Sequence, residues 1–305
     1  MRPAESISTI GMSAALLTLG CGSSPEPSDV DEPAPGYIRY DTAPISVAAG
    51  ESGIWNQWVA LPVDYERIVV DLTGTQSLSG HHAILYTTTD IQPVGTVRVD
   101  AASDQLTRQF VGGVVGQSTE LELPEGVVFR VPAGRGLLIQ THYLNVTSES
   151  VVGTSRIDVK FGTPSPEYEL ASLFGTASLE VNLPPQQASE REVSCVIEQD
   201  LPLLMFANHM HQWGRTVTTT VTDPNGVTQV LKEDPRWNAE WGYNPNFTIE
   251  SKEEPLLLLK GSKVSTKCTW DNTTPETLAY PSEMCMFIGF FLGERDHLCP
   301  GGTWG

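Results

Sequence analysis

Leu138-Ile139-Gln140-Thr141-His142-Tyr143-Leu144-Asn145, residues 138–145, reads as a β-strand. Its branched and aromatic residues suit a pleated, packed backbone. Successive side chains of a strand point to opposite faces, so Gln140 and His142 share one face while Ile139, Thr141 and Tyr143 take the other. Similar short runs recur along the chain: Arg67–Leu72, His82–Thr87, Val127–Val131 and Val217–Val221 are rich in Val, Ile, Thr and aromatics, with Gly, Pro, Asn and Asp between them. Asp223-Pro224-Asn225-Gly226 predicts a hairpin turn, because Asn-Gly accepts positive φ. No amphipathic helix of any length stands out. Strands at this spacing predict an all-β fold of the sandwich or jelly-roll kind.

Outward from these runs the chain divides by composition. Residues 1–21 carry Arg2 and a largely apolar run, Ile10–Leu19, too short to span a bilayer and suited to a signal-peptide core. Leu16-Leu17-Thr18-Leu19-Gly20-Cys21 looks like a bacterial lipobox, with Cys21 as the lipidated residue. Residues 22–36 are dominated by Pro, Ser and acids and predict an extended linker. The body begins at Tyr37. Gly162-Thr163-Pro164-Ser165-Pro166 suggests a boundary, giving halves of residues 37–163 and 164–305, each of a size for one sandwich. No internal sequence repeat is apparent. These features place the protein outside the cytoplasm, lipid-anchored in a periplasm or at a cell surface, or else secreted. The only membrane contact expected is the lipid anchor.

The formal net charge of −19 argues against nucleic acid and anionic lipid as partners. Of the five cysteines, four lie beyond residue 190, and an even number in one region of an exported chain suggests two disulfides. Spacing alone leaves three pairings open. There is no nucleophile elbow, P-loop, dinucleotide fingerprint or His-Glu-x-x-His. Asn145-Val146-Thr147, Asn246-Phe247-Thr248 and Asn272-Thr273-Thr274 are sequons, read as chance in a chain with a bacterial type of leader.

Five of the six histidines fall in three short stretches. His209 and His211 are two apart, so on one strand face both imidazoles could grip one ion. His81 and His82 are adjacent and would point to opposite faces, so both reach one metal only at a strand end, bulge or twisted edge, and Gly80 supplies such an irregularity. His142 is a lone strand histidine. Met284, in Glu283-Met284-Cys285-Met286, offers a soft thioether that favours Cu(I). Two imidazoles and a thioether suit a copper that cycles between Cu(I) and Cu(II).

Taken together, Gly80-His81-His82, Gln140-Thr141-His142-Tyr143, His209-Met210-His211 with Gly214-Arg215, Gly261 through Asn272, and Glu283-Met284-Cys285 resemble the type II copper, ascorbate-dependent monooxygenases in order and approximate spacing. That family includes the peptidylglycine hydroxylase and dopamine β-monooxygenase. The resemblance implies two tandem jelly-roll domains, each with one copper, facing each other across a solvent-filled cleft. His81, His82 and His142 would hold the electron-transfer copper; His209, His211 and Met284 would hold the catalytic one. The implied reaction hydroxylates a substrate C–H bond with O2 and ascorbate or another one-electron reductant. Also implied are the disulfides Cys195–Cys299 and Cys268–Cys285, and a hydrogen bond from Gln140 along the electron route.

Three positions depart from the family pattern. The arginine that the peptide hydroxylase carries two residues before its His-x-His pair is Ala207 here. The polar residues after its Met-Cys are replaced by Met286 and Ile288. These changes point away from a glycine-terminated peptide, toward a less charged, more apolar substrate, a small molecule or a different peptide. The competing expectations are a non-catalytic extracytoplasmic copper binder and an adhesive protein with vestigial histidines.

Overall fold

The runs of Val, Ile, Thr and aromatic residues become strands, and the Gly- and Pro-rich segments become the turns between them. The computed structural model describes residues 32–178 and 180–300. The apolar leader with Cys21 and most of the linker lie outside the described residues. Among the described residues the only helical turns are two short 3-10 segments, Ala102–Leu106 and Ala239–Gly242. No described helix is long and apolar enough to cross a membrane.

The fold is all-β. A ten-stranded sheet runs in the order Ile38–Asp41, Ser155–Gly162, Arg67–Gln76, Val127–Val131, Glu169–Ser178, Cys285–Leu292, Leu201–His209 and Thr248–Ile249, with two strands off this path. Its first four strands come from before residue 164 and the rest from after it. The junction is a parallel pairing in which Glu169, Leu170 and Ala171 lie against Val127, Val128 and Phe129. A six-stranded sheet, centred on Gly136–Leu144 and Gly80–Thr88, belongs to the first half. A four-stranded sheet of Gln187–Val196, Lys263–Asn272, Gly214–Thr222 and Thr228–Asp234 belongs to the second. Each half therefore contributes a large sheet of its own, part of the shared sheet and one two-stranded pair.

Burial follows from this layering. Every residue of Gly136–Leu144 is buried, because the strand is interior to its sheet and covered on both faces. The largest core gathers Trp58, Leu85, Phe129 and Leu138 from the first half, and continues into Leu204, Met205 and Phe290 of the second. A second core around Phe174, Phe206 and Phe287 includes the cystine Cys195–Cys299. A smaller one, around Met210, Val217 and Trp270, includes the cystine Cys268–Cys285. These are the pairings that the resemblance implies.

The predicted hairpin at residues 223–226 forms, but only Gly226 takes positive φ, at 86°. Asp223 supplies the remainder by accepting the N–H groups of Asn225 and Val227 on its Oδ1. A more informative turn occurs twice. Asn145 and Asn272 close the strands Gly136–Leu144 and Lys263–Asn272, and each begins an Asn-x-Thr-x-Glu run. Asn145 Nδ2 donates to the carbonyls of Val47, Ala48 and Glu149. Asn272 Nδ2 donates to those of Leu183, Pro184 and Glu276. In both, Oδ1 accepts the N–H and hydroxyl of the threonine two residues on. Two sequons that read as chance are thus buried clamps whose amides are committed to the fold. They are also the visible trace of a repeated design in a chain without an obvious sequence repeat.

Candidate metal centre

The strand Gly80–Thr88 brings in the first two histidines. Its register against Gly136–Leu144 pairs His82 with His142 and then Gly80 with Tyr143, leaving His81 as the extra residue of a bulge. This irregularity lets adjacent histidines serve one site, as the sequence requires. Gly80 is needed there, because a Cβ would lie 2.5 Å from that of Gln76. His142 projects from the neighbouring strand, and its Nε2 lies 3.0 Å from Ser52 Oγ. One donor nitrogen from each of His81, His82 and His142 falls within 4.8 Å of the others.

The second pair is built differently from the expectation. Leu201–His209 ends at His209, so His211 is not on the same strand face but in the turn beyond it. Glu283 holds that turn. Its buried carboxylate accepts the backbone N–H groups of His211, Trp213 and Met284 and the indole N–H of Trp270. Burial still pushes the Glu283 carboxyl up to about 7, against the pull of those donors. His211 Nδ1–H donates to the Ser282 carbonyl at 3.0 Å, which leaves Nε2 as the free lone pair. That Nε2 lies 3.1 Å from His209 Nε2, so the two rings converge on one point although only one belongs to the strand. In the antiparallel register His209 faces Met286, and Met284, just before that strand, lines the same cavity as His209. Glu283 was quoted in the sequence motif without a role; an acid beside a ligand in an otherwise apolar run was the available signal.

The two groups are not separated by a solvent-filled cleft, and that expectation is corrected here. His81 belongs to both, since its donor nitrogen also lies within 4.8 Å of those of His209 and His211. Its ring centroid is 4.7 Å from that of His142, 5.2 Å from His209 and 4.4 Å from His211. The turn Ala239–Gly242 covers this nest, and a Cβ on Gly242 would sit 3.8 Å from His81 Nε2. The Tyr243 ring follows at 5.2 Å from His81.

Burial dominates the electrostatics. It lowers His81, His142 and His209 well below the ordinary histidine range, and the neighbouring imidazoles lower them further. His82 falls to about 3 and His211 to about 4 for the same leading reason. The rings are therefore neutral at neutral pH. Both nitrogens of His81 and the Nδ1 atoms of His82 and His142 have no hydrogen-bond partner. Buried polar atoms left in this way are costly, and a cation among them would satisfy several at once. Borderline imidazole nitrogens with a thioether close by match the preferences of copper. The residues fit the group.

Beside the nest lies a cavity of about 610 Å³ whose wall includes His81, His82, His209, Met284 and Gln140. Its remaining wall is mostly aliphatic and aromatic. Every sequence-predicted ligand is thus placed at the nest or in the wall beside it.

Residues 171–300 match the family model of the copper type II ascorbate-dependent monooxygenase, C-terminal domain. The match suggests kinship at the family level with the copper monooxygenases. It spans His209, His211, Met284 and the four paired cysteines; His81, His82 and His142 lie before it. Kinship and the two histidine groups together support a copper-binding, oxidoreductase role. Among solved structures, the chain is similar to a peptide-N(4)-(N-acetyl-β-D-glucosaminyl) asparagine amidase, at 12% identity over 85% of this chain and 97% of that one, TM-score 0.34. It is also similar to the major capsid protein P2 of bacteriophage PM2, at 9% identity over 84% and 97%, TM-score 0.33. Likenesses this slight bear on neither activity nor ligands.

Proposed function

We propose that this protein is a copper-dependent monooxygenase that hydroxylates a substrate C–H bond with O2 and a one-electron reductant such as ascorbate. The observation that carries the reading is the apolar cavity with His209 and Met284 in its wall. A copper carrier needs a ligand cage but has no use for a walled, substrate-sized space beside it. In this reading His81, His82 and His142 hold one copper, and His209, His211 and Met284 hold the catalytic one. The halves 37–163 and 164–305 correspond to the two jelly-roll units.

Copper supplies one-electron chemistry toward O2. The protein supplies neutral imidazoles, held neutral by burial, so the ligands need no deprotonation at working pH. Ser282 fixes the tautomer of His211, and Glu283 fixes the backbone at Met284 and at His211. The apolar wall keeps water from the reacting carbon. The disulfides accord with an oxidising compartment and hence with an extracytoplasmic location, with Cys21 as the anchor.

The test is oxygen uptake by copper-loaded protein with ascorbate, with and without candidate apolar substrates, together with product analysis. Substrate-dependent uptake that Met284→Ala abolishes supports the assignment. Stoichiometric copper binding with only background uptake across the candidates, or full activity in Met284→Ala, contradicts it.

A further inference from the structure

The walls of the cavity restrict what it can hold. Six aromatic rings contribute to the wall: Tyr86, Phe110, Trp241, Phe247, Tyr280 and Phe290. Two charged side chains reach the wall, Arg108 and Glu122. Glu122 is exposed and stands at the rim. The Arg108 side chain is buried, but its charge is already matched: the guanidinium pairs with Asp100 at 2.5 Å and lies 4.7 Å over the Tyr86 ring. No free charge therefore faces the interior. A charged ligand would lose its hydration there without gaining a counterion, at a cost of several kcal/mol (roughly).

The interior polar groups of the wall include the Tyr86 and Tyr280 hydroxyls and the Gln140 amide. Gln140 is buried, lines the cavity, and shares its strand face with His142, two residues on. Its side-chain amide makes no hydrogen bond to the described residues. A buried amide left open toward a cavity is matched by a group that the ligand brings.

We infer that the ligand of this cavity is an uncharged, ring-containing, largely apolar molecule carrying one hydroxyl or carbonyl, with Gln140 as the residue that positions it. At about 610 Å³ the space falls in the range that encloses small organic molecules rather than a peptide in a groove. The aromatic wall favours flat ring faces, which stack or meet edge-on. Gln140 contacts the polar group, and His209 and Met284 border the opposite demand, a carbon with no polar partner. Calling this ligand the substrate rests on the monooxygenase reading; its chemical class does not.

The experiment is calorimetric titration of metal-free protein, so that no copper ion ligates a probe, using four probes of one body: naphthalene, 2-acetylnaphthalene, 2-naphthoate and 2-naphthylmethylammonium. The neutral ketone is expected to bind at least about tenfold more tightly than either ion. Gln140→Leu should weaken the ketone by roughly threefold to tenfold and leave naphthalene unchanged, the worth of one hydrogen bond. Ile288→Trp, which fills the cavity and keeps its wall apolar, should abolish binding of both neutral probes while the protein remains folded and able to bind copper. Preference for the carboxylate or the ammonium, failure of both neutral probes to bind, or undiminished binding in Ile288→Trp would overturn the inference. No turnover is involved, so probe binding without hydroxylation would leave this inference standing and sink the enzymatic reading alone.

Discussion

His81 and His211, which come from opposite halves of the chain, stand with their ring centroids 4.4 Å apart in a buried nest. Because His81 is a member of both ligand groups, the groups depend on one another. His81→Ala should lower copper affinity at both sites, by roughly tenfold or more, whereas His82→Ala should weaken only the site shared with His142. Competition with a chelator, read for each site by copper paramagnetic resonance, separates the two outcomes. Equal effects of the two substitutions would mean that His81 serves one site only.

Metal-free protein should lose stability as the pH falls from about 7 toward 4. The five nest histidines are held below the unfolded value near 6.5, so below that pH the unfolded chain binds protons that the folded one refuses. Stability is complete above the unfolded value and is lost as the pH drops toward the folded values, about 3 for His82 and about 4 for His211. Glu283 and Asp296, both pushed up to about 7 by burial, act in the opposite direction over the same window. Five groups outweigh two, so the melting temperature at pH 5 should lie below that at pH 7.5. A flat or rising profile toward pH 5 would contradict the buried, neutral nest.

Glu283 is predicted to be a positioning residue. Its carboxylate receives three backbone N–H groups and the Trp270 indole, and two of those backbone groups belong to ligands. Glu283→Ala would leave these donors buried without an acceptor, at a cost of roughly 3–5 kcal/mol. Glu283→Gln keeps one acceptor oxygen and should cost less. Denaturant midpoints give the stability. Copper affinity at the His209–His211 site should fall in the same order, and an unchanged affinity in Glu283→Ala would remove the positioning role.

The cystine Cys268–Cys285 ties the residue after Met284 to the strand Lys263–Asn272, across a separation of 17 residues. Replacing both cysteines by serine should cost about 3 kcal/mol by the chain-entropy relation. It should also loosen copper at the methionine site and leave the three-histidine site unaffected. Site-resolved copper titration of the double serine variant checks this, and equal loss at both sites would contradict it.

Much of the arrangement was legible in the sequence, and the exceptions share a physical cause. The strand Gly136–Leu144 and an irregularity at His81-His82 follow from local pattern, because alternation and a preceding glycine are local facts. The end of the strand at His209 was not legible, since it depends on Glu283, more than seventy positions away, capturing the next turn. The cavity was equally hidden, as its wall is drawn from many separate segments of both halves. The close approach of His81 to His211 depends on how the halves meet. The halves meet through the parallel strand pairing, the shared core with its Phe110–Phe290 ring contact, and Asp296, which accepts N–H groups from Phe110 and Leu173. The repeated asparagine clamp left only Asn-x-Thr-x-Glu as its trace, a pattern that sequon grammar conceals.

The central claim is that a thioether joins imidazoles in holding a redox copper. X-ray absorption at the copper edge of fully loaded, ascorbate-reduced protein addresses it directly. We expect two copper ions per chain, nitrogen scattering typical of histidine, and one sulfur scatterer shared over the two ions that disappears in Met284→Ala. A reduced protein with no sulfur scattering, or one whose sulfur signal survives that substitution, would contradict the account.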